Sequence, residues 1–281
     1  MPVFARGAYA AGADPTTLLL LRFSIAGALL WVMVLVRQSL LPGGRTLMWL
    51  ALMGGIGYVG QSLAYFTALT MASAALLSLL LYLYPILVAL LAAVVFKVPL
   101  TRTRQVALLV AVFGAALTVG PVGGGNLLGI ALGVSAALIY ACYILAATRV
   151  TRGVDPLAAS AVITTSAALV FLGLAVVRGS ALPMTGLGWT AVVGIAVVST
   201  VVAILAFLGG LALIGPTDAA TVSTLEPVVS LLLAVAVLGE TLAPLQLVGG
   251  ACILAAVVRL ARTDRNQVLA PAQQVRDRSV V

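Results

Sequence analysis

Histidine is missing from this chain altogether, and cysteine occurs only twice, as Cys142 and Cys252, each inside an apolar run. The first absence removes imidazole as a proton relay or metal ligand. The second leaves neither a disulfide framework nor a thiolate metal site. Charge is scarce too: Asp, Glu, Lys and Arg make up 8% of 281 residues, against about 25% in soluble domains. Acidic residues are the scarcest, 7 against 15 basic ones, so the clustered His, Asp, Glu or Cys that an enzyme buried in a membrane would need are not there. No nucleotide fingerprint is present either. Gly123-Gly124-Gly125 lacks the preceding strand and following Lys of a phosphate loop and reads as a turn between helices. Nothing in the chain implies a cofactor, a metal or a catalytic residue.

What fills the space is apolar: 63% of residues are hydrophobic and the mean hydropathy is +1.24, a composition that fits a lipid bilayer. Nine runs reach or approach the roughly 20 residues that span a bilayer: residues 16–36, 46–69, 74–96, 104–120, 127–148, 157–177, 187–212, 217–238 and 243–261. Pro42-Gly43-Gly44, Gly120-Pro121, Gly179 to Pro183 and Gly215-Pro216 break the chain between them. Residues 1–11 read as the outer half of a further, incomplete first helix. Trp31, Trp49 and Trp189 fall near span ends, where tryptophan anchors a helix at the interface.

The net charge of +8 would suggest nucleic acid in a soluble protein, but here the bases sit in short joints and in the tail, so no nucleic-acid partner is implied. Twelve of the 15 Lys and Arg residues fall on one side: Arg37, Arg45, Lys97, Arg102, Arg104, Arg149, Arg152, Arg259, Arg262, Arg265, Arg276 and Arg278. By the positive-inside rule that side is the cytoplasm and carries the C-terminus, while Arg178 faces outward. The expected location is a bacterial-type inner membrane, crossed many times. Arg22, one turn into its helix, is read as snorkelling outward or meeting Asp14.

A pattern recurs after about 141 residues. Gly12-Ala13-Asp14-Pro15 returns as Gly153-Val154-Asp155-Pro156, Pro85 as Pro227 and Gln105 as Gln246. Five crossings separate the copies, so the second is inverted, and inverted repeats are the mark of carriers whose substrate sites lie near the midplane. The fold expected is an all-α integral membrane protein, a ten-helix bundle with its first helix incomplete. It comprises a first five-helix repeat over residues 1–120, an inverted repeat over 121–262, and a cytoplasmic tail over 263–281. Monomer and homodimer are both open.

Polar and aromatic side chains within the spans are the candidates for a substrate path, because lipid rejects them. Tyr58, Gln61, Ser62 and Tyr65 follow i, i+3, i+4, i+7 spacing and share one helix face. Ser78 and Tyr82 lie one turn apart, Tyr140 and Tyr143 share a face, and Thr217, Thr221 and Thr224 form a stripe. Hydrogen bonding between helices is the alternative reading, strongest for serine and threonine. Glu226 is the one carboxylate placed mid-span. Two roles stay open for it: proton coupling, or capping backbone groups freed by Pro227. Pro85 and Pro227 each remove a helical hydrogen bond and mark kinks at which helices can gate. Glu240 falls in a loop, where it caps or pairs at the outer surface.

In combination these motifs carry a resemblance. Asp14-Pro15 with Leu21-Arg22-Phe23, Tyr82-Leu83-Tyr84-Pro85, Leu225-Glu226-Pro227-Val228, Leu238-Gly239-Glu240-Thr241-Leu242, Gln246 and Gly249-Gly250 resemble the EamA family of the drug/metabolite transporter superfamily. The resemblance covers everything but the tail. It implies a ten-helix secondary carrier that exports amino acids, aromatic ones among them, or other small metabolites or drugs. The first half departs from the pattern, with Phe96-Lys97-Val98-Pro99-Leu100 where the second has Gly-Glu. The few buried charges disfavour multiply anionic cargo and favour an amino acid with an apolar or aromatic side chain.

Overall fold

Asp-Pro opens two of the longest helices, and both openings are built alike. In a computed structural model that describes residues 1–95, 102–119, 126–207, 213 and 225–259, Gly12 and Gly153 take the left-handed backbone that glycine tolerates, with φ of 94° and 70°. The aspartate two residues on then caps a helix whose first residue is proline. Asp14 accepts from the N–H groups of Thr16 at 2.8 Å and Thr17 at 3.0 Å. Asp155 accepts from those of Leu157 at 2.8 Å and Ala158 at 3.4 Å. Slight burial works against the Asp155 charge, but the Ser39 side chain, these two N–H groups and Arg37 hold its carboxyl below the ordinary value of 3.8.

The elements in chain order are α1 (Pro2–Ala10), α2 (Pro15–Arg37), α3 (Gly44–Ala68), α4 (Ala74–Val95), α5 (Arg102–Val119), α6 (Leu127–Val150), α7 (Pro156–Arg178), α8 (Gly186–Phe207), α9 (Glu226–Leu238) and α10 (Pro244–Arg259). All elements among the described residues are helices. Six of them, α2, α3, α4, α6, α7 and α8, are long and apolar enough to cross a membrane; α9 and α10 are apolar and shorter. Their outward faces fit that solvent. Leu35 and Val36 on α2 and Val176 and Val177 on α7 are 73 to 84% exposed, a penalty in water and none in lipid.

Helix α1, nine residues long, reaches only about 14 Å at 1.5 Å per residue. It is nevertheless packed in: Ala5 and Ala8 are fully buried, and the Phe4 ring closes on Gly194 of α8. The most extensive helix pairing is that of α2 with α7, with α3 packed beside them. Small residues let these backbones approach. A Cβ on Gly54 would lie 2.3 Å from the Ile163 carbonyl oxygen of α7, and one on Gly27 would meet Thr165 at 3.4 Å. Trp31 donates its indole N–H to the Thr165 hydroxyl at 2.8 Å. This residue, expected as an interfacial anchor, is an interhelix strut.

Two helices widen in the middle. Met53–Tyr58 in α3 and Val197–Val202 in α8 are π-helical turns, a geometry frequent at functional sites. In α8 the Thr200 hydroxyl donates to the Ile195 carbonyl, five residues back, at 3.0 Å and fills the wider turn. Helix α4 is interrupted more sharply. Its halves, Ala74–Leu81 and Tyr84–Val95, are separated at Tyr82 and Leu83, because Pro85 brings no N–H and crowds the preceding turn. The interruption falls where Pro85 was expected to kink the helix.

Candidate functional site

Arg22 is where the structure departs furthest from the sequence reading. It neither snorkels nor meets Asp14, whose second carboxylate oxygen is taken by Thr17 and by the Ala181 N–H at 2.9 Å. Instead the side chain turns inward and is only 4% exposed. Its Nε donates to Thr200 Oγ1 at 2.9 Å, and Nη2 lies 3.4 Å from the Tyr58 hydroxyl. The guanidinium carbon stands 4.9 Å from the Phe23 ring centre and 5.4 Å from that of Phe66, within cation–π range. One cation therefore joins α2 to the π turns of both α3 and α8.

From that point aromatic rings run across the bundle. Phe23 meets Tyr58 at 5.2 Å between ring centres, Tyr58 meets Tyr143 at 5.9 Å, and Tyr143 meets Tyr140 at 6.1 Å. Tyr140 meets Tyr84 at 4.8 Å, and Tyr84 meets Tyr82 at 5.8 Å. The Tyr82 hydroxyl closes the arc by donating to Glu226 Oε2 at 3.0 Å. These separations are those of favourable offset or edge-to-face pairs. The arc thus has a guanidinium at one end, phenol rings along its length and a carboxylate at the other end.

The structure sorts the sequence candidates. Tyr58, Tyr82, Tyr140, Tyr143 and Glu226 come together on the arc. Gln61, Ser62 and Tyr65 stay on their helix but turn into packed interior: the Ser62 hydroxyl donates to Gln61 Oε1 at 3.3 Å, and Tyr65, 1% exposed, packs edge-on to Phe66 at 5.8 Å. Ser78 is buried in the same core. Thr217, Thr221 and Thr224 lie outside the described residues.

Glu226, expected mid-span, is the first residue of α9 and is exposed. Pro227 follows at a position where a helix needs no N–H donor, so it frees no backbone group for Glu226 to cap; the carboxylate takes the Tyr82 hydroxyl instead. At the far end of α9, Glu240 does cap, across the chain. Its two oxygens accept the Ala74 and Ala75 N–H groups of α4 at 2.8 and 2.9 Å.

Sequence reasoning missed Arg22 and Tyr84. For Arg22 a signal existed, since it is a cation within an apolar run. Tyr84 gave none: residues two apart point to opposite sides of a continuous helix, and only the break in α4 lets Tyr82 and Tyr84 share the arc.

Two hollows lie away from the arc. One of about 480 Å³ is bounded by Arg6, Met71, Ser73, Leu238 and Glu240. Another of about 520 Å³ runs between α1 and the start of α8.

Comparison with known proteins agrees with this architecture. A crystal structure of a protein 23% identical superposes with a TM-score of 0.65 over 94% of each chain, a likeness of fold. An uncharacterized transporter of Bacillus subtilis (strain 168), YcbK, is 26% identical over 269 residues, 88% of this chain and 83% of the relative. The EamA-like transporter family model matches residues 1–120 and 127–262. The protein belongs to the EamA-like transporter family, and it is a multi-pass membrane transporter of small molecules.

Proposed function

We propose that the protein is a secondary carrier that exports amino acids with apolar or aromatic side chains by alternating access, with the tyrosine arc as its substrate path. The observation that carries this reading is the arc itself, five phenol rings drawn from α3, α4 and α6 between Arg22 and Glu226. Phenol faces stack on an apolar or aromatic side chain while hydroxyls take up polar ends. Two inverted five-helix repeats, residues 1–120 and 121–262, form the two halves of the carrier. The matching Asp-Pro caps and the π turns at Met53–Tyr58 and Val197–Val202 support this division. The arc crosses between them, where inverted repeats place substrate. The break before Pro85 and the start of α9 at Glu226–Pro227 are the gating points, because a helix interrupted there moves as two pieces. The protein sits in the inner membrane with Arg149, Arg152 and the tail on the cytoplasmic side.

Counter-transport in liposomes tests the reading. Vesicles loaded with unlabelled phenylalanine should accumulate labelled phenylalanine in a saturable way. Linear, unsaturable flux indicates a channel, chemical conversion an enzyme, and saturable exchange of only non-amino-acid solutes another metabolite or drug carrier.

A further inference from the structure

Arg22 is a guanidinium cation, yet none of the described residues sets a carboxylate against it. Its partners are neutral: the Thr200 and Tyr58 hydroxyls and the faces of Phe23 and Phe66. Holding a cation 96% buried without a counter-charge is costly. A helix strut does not need that charge, since the bond to Thr200 could be made by an amide. The position adds a second reason. Arg22 touches the π turns of α3 and α8 at once and stands at the end of the tyrosine arc opposite Glu226.

We propose that Arg22 is the anchor for a carboxylate on the transported solute, which docks on the guanidinium beside Tyr58; this rests on the reading of the arc as the substrate path. The geometry is suited to it. The Nε bond to Thr200 at 2.9 Å fixes the guanidinium plane, and the Nη2 contact to Tyr58 at 3.4 Å is long and weak, easily given up to a stronger acceptor. A carboxylate is the acceptor that a planar guanidinium binds through two parallel bonds. With the carboxylate on Arg22, an apolar or aromatic side chain lies along the tyrosines. The carboxylate of such a solute also offsets the Arg22 charge locally during its passage, which lowers the charge penalty when the halves rearrange.

Two readouts on the purified full chain test the assignment. The first is the rise in melting temperature produced by four probes: phenylalanine; 3-phenylpropionate, which keeps the carboxylate alone; phenylalaninamide, whose carboxylate is neutralised; and 2-phenylethylamine, which lacks it. The second is competition by the same probes in liposome exchange. In the parent the two carboxylates should act at concentrations about tenfold to a hundredfold below those of the amide and amine, the range expected for a lost charged hydrogen bond. Arg22→Gln should bring that ratio close to one. Arg22→Lys should keep a reduced ratio, and Thr200→Val should weaken carboxylate binding about tenfold with the charge retained.

A parent that melts alike with acid and amide overturns the proposal, as does an Arg22→Gln protein with the parent's ratio, whatever its flux. Should Arg22→Gln fail to fold, Thr200→Val and Arg22→Lys decide it, and unchanged ratios in both overturn it. If carboxylates raise the melting temperature through Arg22 while no amino acid exchanges, the anchor stands and the amino-acid transport reading falls.

Discussion

Replacing Gly54 by alanine should cost more stability than any single methyl group would suggest. A Cβ there would sit 2.3 Å from the carbonyl oxygen of Ile163 and 2.9 Å from its carbonyl carbon and Cα, all backbone atoms of α7. No rotamer change relieves the overlap, since none of the opposing atoms belongs to a side chain. Ordinary contact begins near 3.4 Å, so α3 must retreat from α7 over that whole crossing. Dispersion contacts along a seam opened by that much lose a quarter to a half of their attraction, and overpacking of this kind costs about 1–3 kcal/mol. At roughly 2–4 °C per kcal/mol for a chain of this size, Gly54→Ala should lower the melting temperature in detergent by roughly 2–12 °C. Gly173→Ala is the control. Nothing lies within 4 Å of a Cβ built at that position, and alanine gains about 1 kcal/mol of helix propensity, so the variant should melt at or slightly above the parent. Tyr58, four residues beyond Gly54, moves with α3, so the variant that folds should also exchange substrate more slowly. Gly54→Ala melting with Gly173→Ala would refute the claim that backbone contact sets the approach of α3 to α7.

Further variants probe other contacts. Glu240→Ala removes the acceptors of two N–H groups that open α4, and a lost N-cap costs about 0.5–2 kcal/mol; its melting temperature should fall, with Glu240→Gln intermediate. Tyr82→Phe removes the donor to Glu226 and should slow exchange without lowering the melting temperature, a loss of both indicating a structural tie instead. The carboxyl of Asp155 is held below 3.8 in the folded chain. Its contribution is therefore complete above 3.8 and disappears as pH falls through the lower folded value, and Asp155→Asn should flatten the fall in melting temperature over that acid range. Single cysteines in a background without Cys142 and Cys252 should react at position 152 only after the membrane is opened. Labelling at 152 in intact cells would reverse the orientation.

Most of the scaffold was legible because its signals are local. An apolar run bounded by glycine and proline specifies a span from its own residues. The Gly-x-Asp-Pro tetrads likewise carry the left-handed glycine, the cap and the first helical residue in four consecutive positions. The Glu240 cap was half legible: its loop position left capping and pairing both open, and gave no sign that the capped helix begins 166 residues earlier, at Ala74. The π turns were not legible at all. The sequences Met-Gly-Gly-Ile-Gly-Tyr and Val-Val-Ser-Thr-Val-Val read as unbroken apolar helix, and the extra residue in each turn is accommodated by packing on other helices.

Arg22 shows why a site of this kind escapes a periodicity argument. Counted along α2 it lies about two turns from a polar end, and a long basic side chain near a helix end reads as snorkelling. Two remote contacts reverse the outcome. Asp14 is already satisfied by its own helix and by Ala181, 167 residues away, so no carboxylate waits at the end of α2. Thr200, 178 residues away, offers an acceptor on the inner side. Helical spacing finds residues that share one face of one helix, and on α3 it grouped Tyr58 with Ser62 and Tyr65. The arc instead takes a single residue from α3, one in the break of α4 and one just after it, and two from α6. Its chemistry comes from the meeting of helices, so the charge that a helix seems able to expel has to be followed into the bundle before its role can be read.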